Sequence, residues 1–182
     1  GKSTLILMGF RRARQDGNIP VWIDLQPFRG ADAARDLVPV FSAIFDHATS
    51  SGGEYSSSID ISLLTEAASI VRDALETEKE IRAKIPVLNG IINRLTDSCK
   101  ADLYVFLDDV HLLRPDLQAL LLDLLHGMLK GARGWLKVAG VKNFLHPYDA
   151  ARNIGLQLAH DVQAIDLDLT LVNPAQARAH LV

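Results

Sequence analysis

The chain has 182 residues, of which 48% are hydrophobic and 23% charged, with a net charge of −3. That is globular composition for one domain or most of one, able to bury a proper core, and it excludes a disordered or fibrous chain. The acidic balance (pI about 6.1) gives no global reason to bind nucleic acid. No apolar run approaches a membrane span. Cys99 is the single cysteine, so no disulfide can form within the chain; the usage suits a reducing compartment and points to the cytoplasm.

The predicted elements alternate. Residues 3–15 read as a helix with Leu5, Ile6, Leu7 and Met8 on its buried side and Arg11, Arg12 and Arg14 in its last turns, where cations suit the helix dipole. Gly17-Asn18 breaks the chain before a strand at 21–25 that follows Pro20. Helical spacing returns over 31–48, with Pro39 expected to bend or interrupt it. Ser50 to Ser58 is rich in serine and glycine and is expected to be an exposed mobile loop. From about 60 to 98 the pattern is helical again, divided or kinked at Pro86 and Gly90. The strand 103–107 is wholly apolar or aromatic, as in a parallel sheet covered on both faces. A leucine-rich helix over 115–130 follows, with Pro115 in its first turn. A strand at 135–141, a helix over about 148–158 and a final strand at 162–167 come next. Asn173-Pro174 should start a last helix. Strands alternating with helices imply βαβ units, a parallel sheet and helices on both faces.

Two motifs carry chemistry. Gly1-Lys2-Ser3-Thr4 matches the second half of G-x-x-x-x-G-K-[ST], a loop whose backbone N–H groups cradle phosphates at a helix start. The motif begins at its sixth position, so the chain is expected to be a piece of a longer protein, with the loop's own strand lying ahead of Gly1. Lys2 supplies a point charge to β- and γ-phosphates, and Ser3 the hydroxyl that ligates magnesium. Thr4 can hydrogen-bond an α-phosphate. Leu103 to Asp109 ends an apolar strand in two aspartates. Asp108 is assigned to Mg2+, which prefers oxygen ligands and keeps several waters. Asp109 has two readings: it polarises the attacking water, or it caps the following helix. His111 reads as a packing or helix-entry residue. No histidine pair at metal-ligand spacing and no G-x-S-x-G elbow occur.

One strand, 21–25, lies between the motif helix and the aspartate strand. That order resembles the additional-strand class of P-loop ATPases. GKST, VWIDL, YVFLDDVHLL with its leucine-rich helix, and VQAIDLDLTL are similar to bacterial signal-transduction (STAND) and origin-recognition-like AAA+ ATPases, and DDVHLL especially to the large ATP-dependent LuxR-type regulators. The resemblance implies a three-layer P-loop fold with a five-stranded sheet. Its order would run final strand, P-loop strand, strand 135–141, aspartate strand, then 21–25 at the edge. It implies binding of ATP or ADP with Mg2+ by Gly1, Lys2, Ser3, Thr4, Asp108 and, in part, Asp109, and a sensor side chain after strand 135–141, either Lys142 or, preferred, Asn143. Oligomer-linked switching inside a multidomain regulatory or defence protein is expected, with self-association or contact to its other domains. Asp109 stands where many AAA+ members carry glutamate, and the lid region lies outside the chain. The competing readings are a non-hydrolysing scaffold domain and a nucleic-acid-linked ATPase of the helicase-loader type; the net charge of −3 weighs against the latter.

Overall fold

The computed structural model describes residues 2–55, 60–72, 76–157 and 160–165. Helix α1 (Lys2–Gln15) leads into strand β1 (Ile19–Asp24). Three helices follow, α2 (Val38–Tyr55), α3 (Ile61–Arg72) and α4 (Glu78–Cys99). Then come β2 (Leu103–Asp108), α5 (Pro115–Leu129) and β3 (Gly134–Val138). The three strands form one parallel sheet in the order β1-β2-β3. The aspartate strand therefore sits between the other two, as the sequence reading expects. Among the described residues the sheet has these three strands; the strand expected ahead of Gly1 lies outside the chain.

Alternation along the strands separates two faces. Ile19, Val21 and Ile23 of β1 and Leu103, Val105 and Leu107 of β2 join one core cluster. Val40, Phe41, Ile44 and Phe45 of α2, Leu88, Ile91, Ile92 and Leu95 of α4, and the leucines of α5 complete it. The opposite face carries Trp22 and Phe106, on which Phe10 of α1 packs edge-on at 6.1 and 5.8 Å between ring centroids. The sheet is thus flanked by helices on both faces.

The end of α1 fixes its direction. Gly17 is left-handed (φ 77°), its N–H donates to Arg14 O at 3.1 Å, and Asn18 N–H donates to Ala13 O at 3.0 Å. This paired closure turns the chain back within three residues. Asn18 then ties the start of β1 to the start of β2, its Oδ1 accepting from Asp102 N–H at 3.0 Å. A helix of 14 residues rises about 21 Å, and a six-residue strand runs about 20 Å. Running back over the sheet, α1 brings its N-terminus to the edge where the strands end.

Several elements differ from the sequence expectation. Helix α4 is a single run through Pro86 and Gly90. Its N-terminus is fixed by a reciprocal cap, Glu80 N–H to Thr77 Oγ1 and Thr77 N–H to Glu80 Oε2, and its apolar stripe is fully buried. That tertiary burial outweighs the hydrogen bond Pro86 removes. The interruption expected near Pro39 is found: residues 34–37 form a separate short turn and Pro39 lies in the first turn of α2, where no N–H is needed. The segment expected as a loop at 50–58 is helical through Tyr55. The hydroxyls of Thr49 and Ser50 donate back to Phe45 O and Asp46 O at 2.8 and 2.9 Å, so they follow the helix instead of competing with it. Residues 56–59 lie outside the described residues.

The helix expected over 148–158 is instead a small antiparallel hairpin, β4 (Tyr148–Asp149) with β5 (Ile154–Gly155). Asp149 Oδ1 accepts from Ala151 and Arg152 N–H, and Asn153 and Gly155 are left-handed. Local turn chemistry decides the segment. The hairpin is latched to α4 and α5: Arg82 donates to Glu78 and to Asp123, Arg152 donates to Glu78, and Gly155 N–H donates to Asp123. Of the expected final strand, Val162 makes an isolated bridge and 163–165 carry no regular structure. Residues 166 and 167, and the helix expected after Asn173-Pro174, lie outside the described residues.

Candidate functional site

The strand ends define the site. Asp24 and Asp108 are register partners at the ends of β1 and β2, so both project from the face that α1 covers. Leu25 N–H donates to Asp108 O at 3.1 Å. On the other side Ala139 N–H donates to Leu107 O and Val110 N–H to Ala139 O, at 2.9 and 3.3 Å. The Asp108-Asp109 peptide is therefore gripped by the chain leaving both neighbouring strands.

Asp108 is 7% exposed. Its Oδ1 accepts from Asp109 N–H at 3.0 Å, and among the residues whose side chains are described, which do not include Lys2, no cation pairs with it. A buried carboxylate in that condition calls for a counter-charge, either a basic side chain or a metal ion. Its donor chemistry, a hard carboxylate oxygen at the open edge of the sheet, fits magnesium or its water shell.

Asp109 is left-handed at φ 58° and ψ 32°. It occupies the cap position of the short 3-10 turn Val110–Leu112, yet its side chain makes no capping hydrogen bond. The capping role weighed from sequence is thus filled in position but not in bonding. The left-handed backbone aims the Asp109 N–H at Asp108 and turns the carboxylate toward His111. His111 Nδ1 stands 3.8 Å from Asp109 Oδ1.

Gln118 of α5 is the buried polar residue that sequence reasoning missed. It is 1% exposed. Its Nε2 donates to Leu113 O and Phe144 O at 2.8 and 3.1 Å, and its Oε1 accepts from His146 N–H at 2.7 Å. It clamps the segment after the two aspartates to the segment after β3. A glutamine within an otherwise leucine-rich stripe was the available signal. Asp24 gave the same signal as Asp108, an aspartate closing an apolar strand.

The predicted residues are distributed as follows. Ser3 and Thr4 are exposed in the first turn of α1, at the sheet edge that holds Asp24, Asp108 and Asp109. That first turn contains no acidic residue, so no carboxylate of its own neutralises the helix dipole. Gly1 lies outside the described residues. Lys142 and Asn143 are exposed on a short turn, Lys142–Phe144. The residues level with Asp108 on the β3 side are Ala139 and Gly140, so Asn143 stands three residues further along the loop. Among the described residues no group of three or more histidine, cysteine or acidic side chains is gathered for a metal ion, and no helix is long and apolar enough to cross a membrane.

No family model matches the chain, and no curated protein or solved structure matches it.

Proposed function

We propose that this chain is the core of an ATP-binding domain that takes ATP with Mg2+ and hydrolyses it, acting as a nucleotide-held switch within a larger protein. The observation that supports the reading is the buried Asp108 carboxylate, without a cation among the described side chains, at the sheet edge to which α1 brings its N-terminal end, Lys2-Ser3. A helix N-terminus with no acidic residue in its first turn favours phosphate. In this reading the fold is of the P-loop type, and the three parallel strands are part of a five-stranded sheet.

The roles follow from the chemistry of each group. Lys2 balances the β- and γ-phosphate charge, Ser3 and Asp108 hold magnesium, and Thr4 meets an α-phosphate oxygen. Magnesium, when bound, neutralises charge that develops between the β- and γ-phosphates. Asp109 accepts the proton of the attacking water. Asn143 or Lys142 would reach the γ-phosphate only if the β3 loop closes over the edge.

Titration calorimetry of the full-length protein with ATP and Mg2+ tests this. Lys2→Ala removes a charge-assisted contact of about 1.5–3 kcal/mol, so affinity should fall roughly tenfold to a hundredfold. Asp108→Asn should weaken binding in magnesium and leave binding in EDTA little changed. Equal affinity in wild type and Lys2→Ala sinks the assignment. Asp109→Asn should leave binding intact and lower single-turnover hydrolysis by about 10²–10⁴-fold.

A further inference from the structure

The turn that follows the two aspartates holds a feature that ATP binding alone does not use. His111 Nδ1 is fully buried and has no hydrogen-bond partner among the described residues, and its side chain is 15% exposed. A buried ring nitrogen left in that state costs free energy, and such groups usually have a partner in another state of the protein. Asp109 Oδ1 stands 3.8 Å away, a carboxylate that accepts no hydrogen bond among the described residues. Asp109 is 38% exposed, so water reaches its carboxylate, while the buried imidazole nitrogen stands about one ångström beyond hydrogen-bond length from it.

The backbone explains why they face each other. Asp109 is held left-handed, its N–H committed to Asp108 Oδ1. That conformation is uncommon for a residue with a side chain, and it withdraws the carboxylate from the cap of the next turn. Behind His111 stands Gly140. A Cβ added there would lie 3.1 Å from Leu145 Cδ1, 3.6 Å from His111 Cβ and 3.7 Å from His111 N. The loop after β3 is therefore seated against the His111 backbone, close to the Asp109–His111 pair.

We propose that His111 is a positioning residue for Asp109: its Nδ1–H donates to the Asp109 carboxylate when nucleotide closes the edge, and so fixes which oxygen faces the attacking water. The inference rests on the reading of Asp109 as the group that takes the water's proton. His111 touches neither phosphate nor metal in this scheme; it acts through Asp109. An interaction made mainly in the closed state raises the turnover rate without tightening nucleotide binding.

Two measurements on the full-length protein test it. The first is kinetic. His111→Leu should lower single-turnover ATP hydrolysis by about tenfold or more with ATP affinity within about twofold of wild type. His111→Asn, whose Nδ2 stands about where Nδ1 does, should recover most of the rate, while His111→Gln, with its donor one bond further out, should not. If Leu, Asn and Gln lower the rate equally, or if none lowers it, the positioning role is overturned. The second is independent of hydrolysis. Long-range proton–nitrogen NMR of the imidazole with the non-hydrolysable analogue AMP-PNP and Mg2+ should show the Nδ1-protonated tautomer, with a signal that moves in Asp109→Asn. An Nε2-protonated ring, or one indifferent to Asp109→Asn, overturns the contact even if hydrolysis is intact. Conversely, the expected NMR signature in a protein that hydrolyses no ATP would leave the His111–Asp109 contact standing and remove the ATPase reading.

Discussion

Gln118→Met should be among the most damaging single substitutions outside the apolar core. Methionine nearly matches glutamine in length and volume, so the change removes hydrogen bonds while leaving the packing in place. Three backbone groups lose their partner: Leu113 O, Phe144 O and His146 N–H. The bond to Leu113 O is fully buried, so stranding that carbonyl costs about 1–3 kcal/mol. The other two bonds are part-buried; water reaches them in part, and each costs about 0.5–1 kcal/mol. The total is about 2–5 kcal/mol, a large share of the roughly 5–15 kcal/mol by which a domain is stable. Urea unfolding followed by far-ultraviolet circular dichroism should show the loss in the midpoint at unchanged slope. In thermal unfolding the same loss lowers Tm by about 5–15 °C. A loss under about 1 kcal/mol would mean that the segment after β3 is not anchored through Gln118, and the clamp on the site would have to be abandoned.

Pro86→Ala restores an N–H inside an exposed stretch of α4 and should raise stability by about 1–3 kcal/mol, read as a higher melting temperature; a lower one would show that the proline packs to advantage. Asn89 donates to Met128 O and Lys130 O, capping the last carbonyls of α5 from the neighbouring helix, so Asn89→Ala should cost about 1–2 kcal/mol in urea unfolding. Burial raises the carboxyl pKa of Glu78, but hydrogen bonds from Arg82 and Arg152 outweigh it and hold the group below its ordinary value of 4.5. A depressed carboxylate contributes stability that is present above the unfolded value and lost as pH falls through the folded one. Stability measured by urea midpoint should therefore decline as pH drops below about 4.5, and Glu78→Gln should flatten that decline; an unchanged acid limb would refute the latch between α4 and the hairpin.

The sequence displayed the two strands 103–107 and 21–25 well, within two residues of β2 and β1, because each is a short apolar run with little helical alternative; 135–141 overran β3 by three residues, and at 162–165 only Val162 makes a bridge. Helix boundaries were harder. Pro86 reads locally as a division or kink and the serines from Ser50 onward as a loop, yet burial of Leu88, Ile91 and Leu95 carries α4 past the proline, and the back-bonded hydroxyls of Thr49 and Ser50 carry α2 onward. The hairpin at 148–155 failed for the opposite reason: its apolar residues have no strong period, and Asp149, Asn153 and Gly155 act through turns that hydrophobic spacing does not register. At the site, Asp108 and Asp109 announced themselves by ending a strand. What the sequence could not display was the left-handed backbone at Asp109, which decides that its carboxylate meets His111 and not a helix cap. Nor could it reveal Gln118, whose three partners come from segments that are adjacent only in space.

The two tryptophans occupy different optical environments. Trp22 lies near the end of β1 against Phe10 of α1, the helix that opens at Lys2. Trp135 is half-exposed at the other end of β3, stacked on Tyr104 and donating from its indole N–H to Asp102. Their emission should separate into a blue component from Trp22 and a redder one from Trp135, each quenched differently by iodide. With Trp135 replaced by phenylalanine, the protein carries a built-in lamp for the seating of α1 on the sheet, and no dye needs to be attached to watch that helix move.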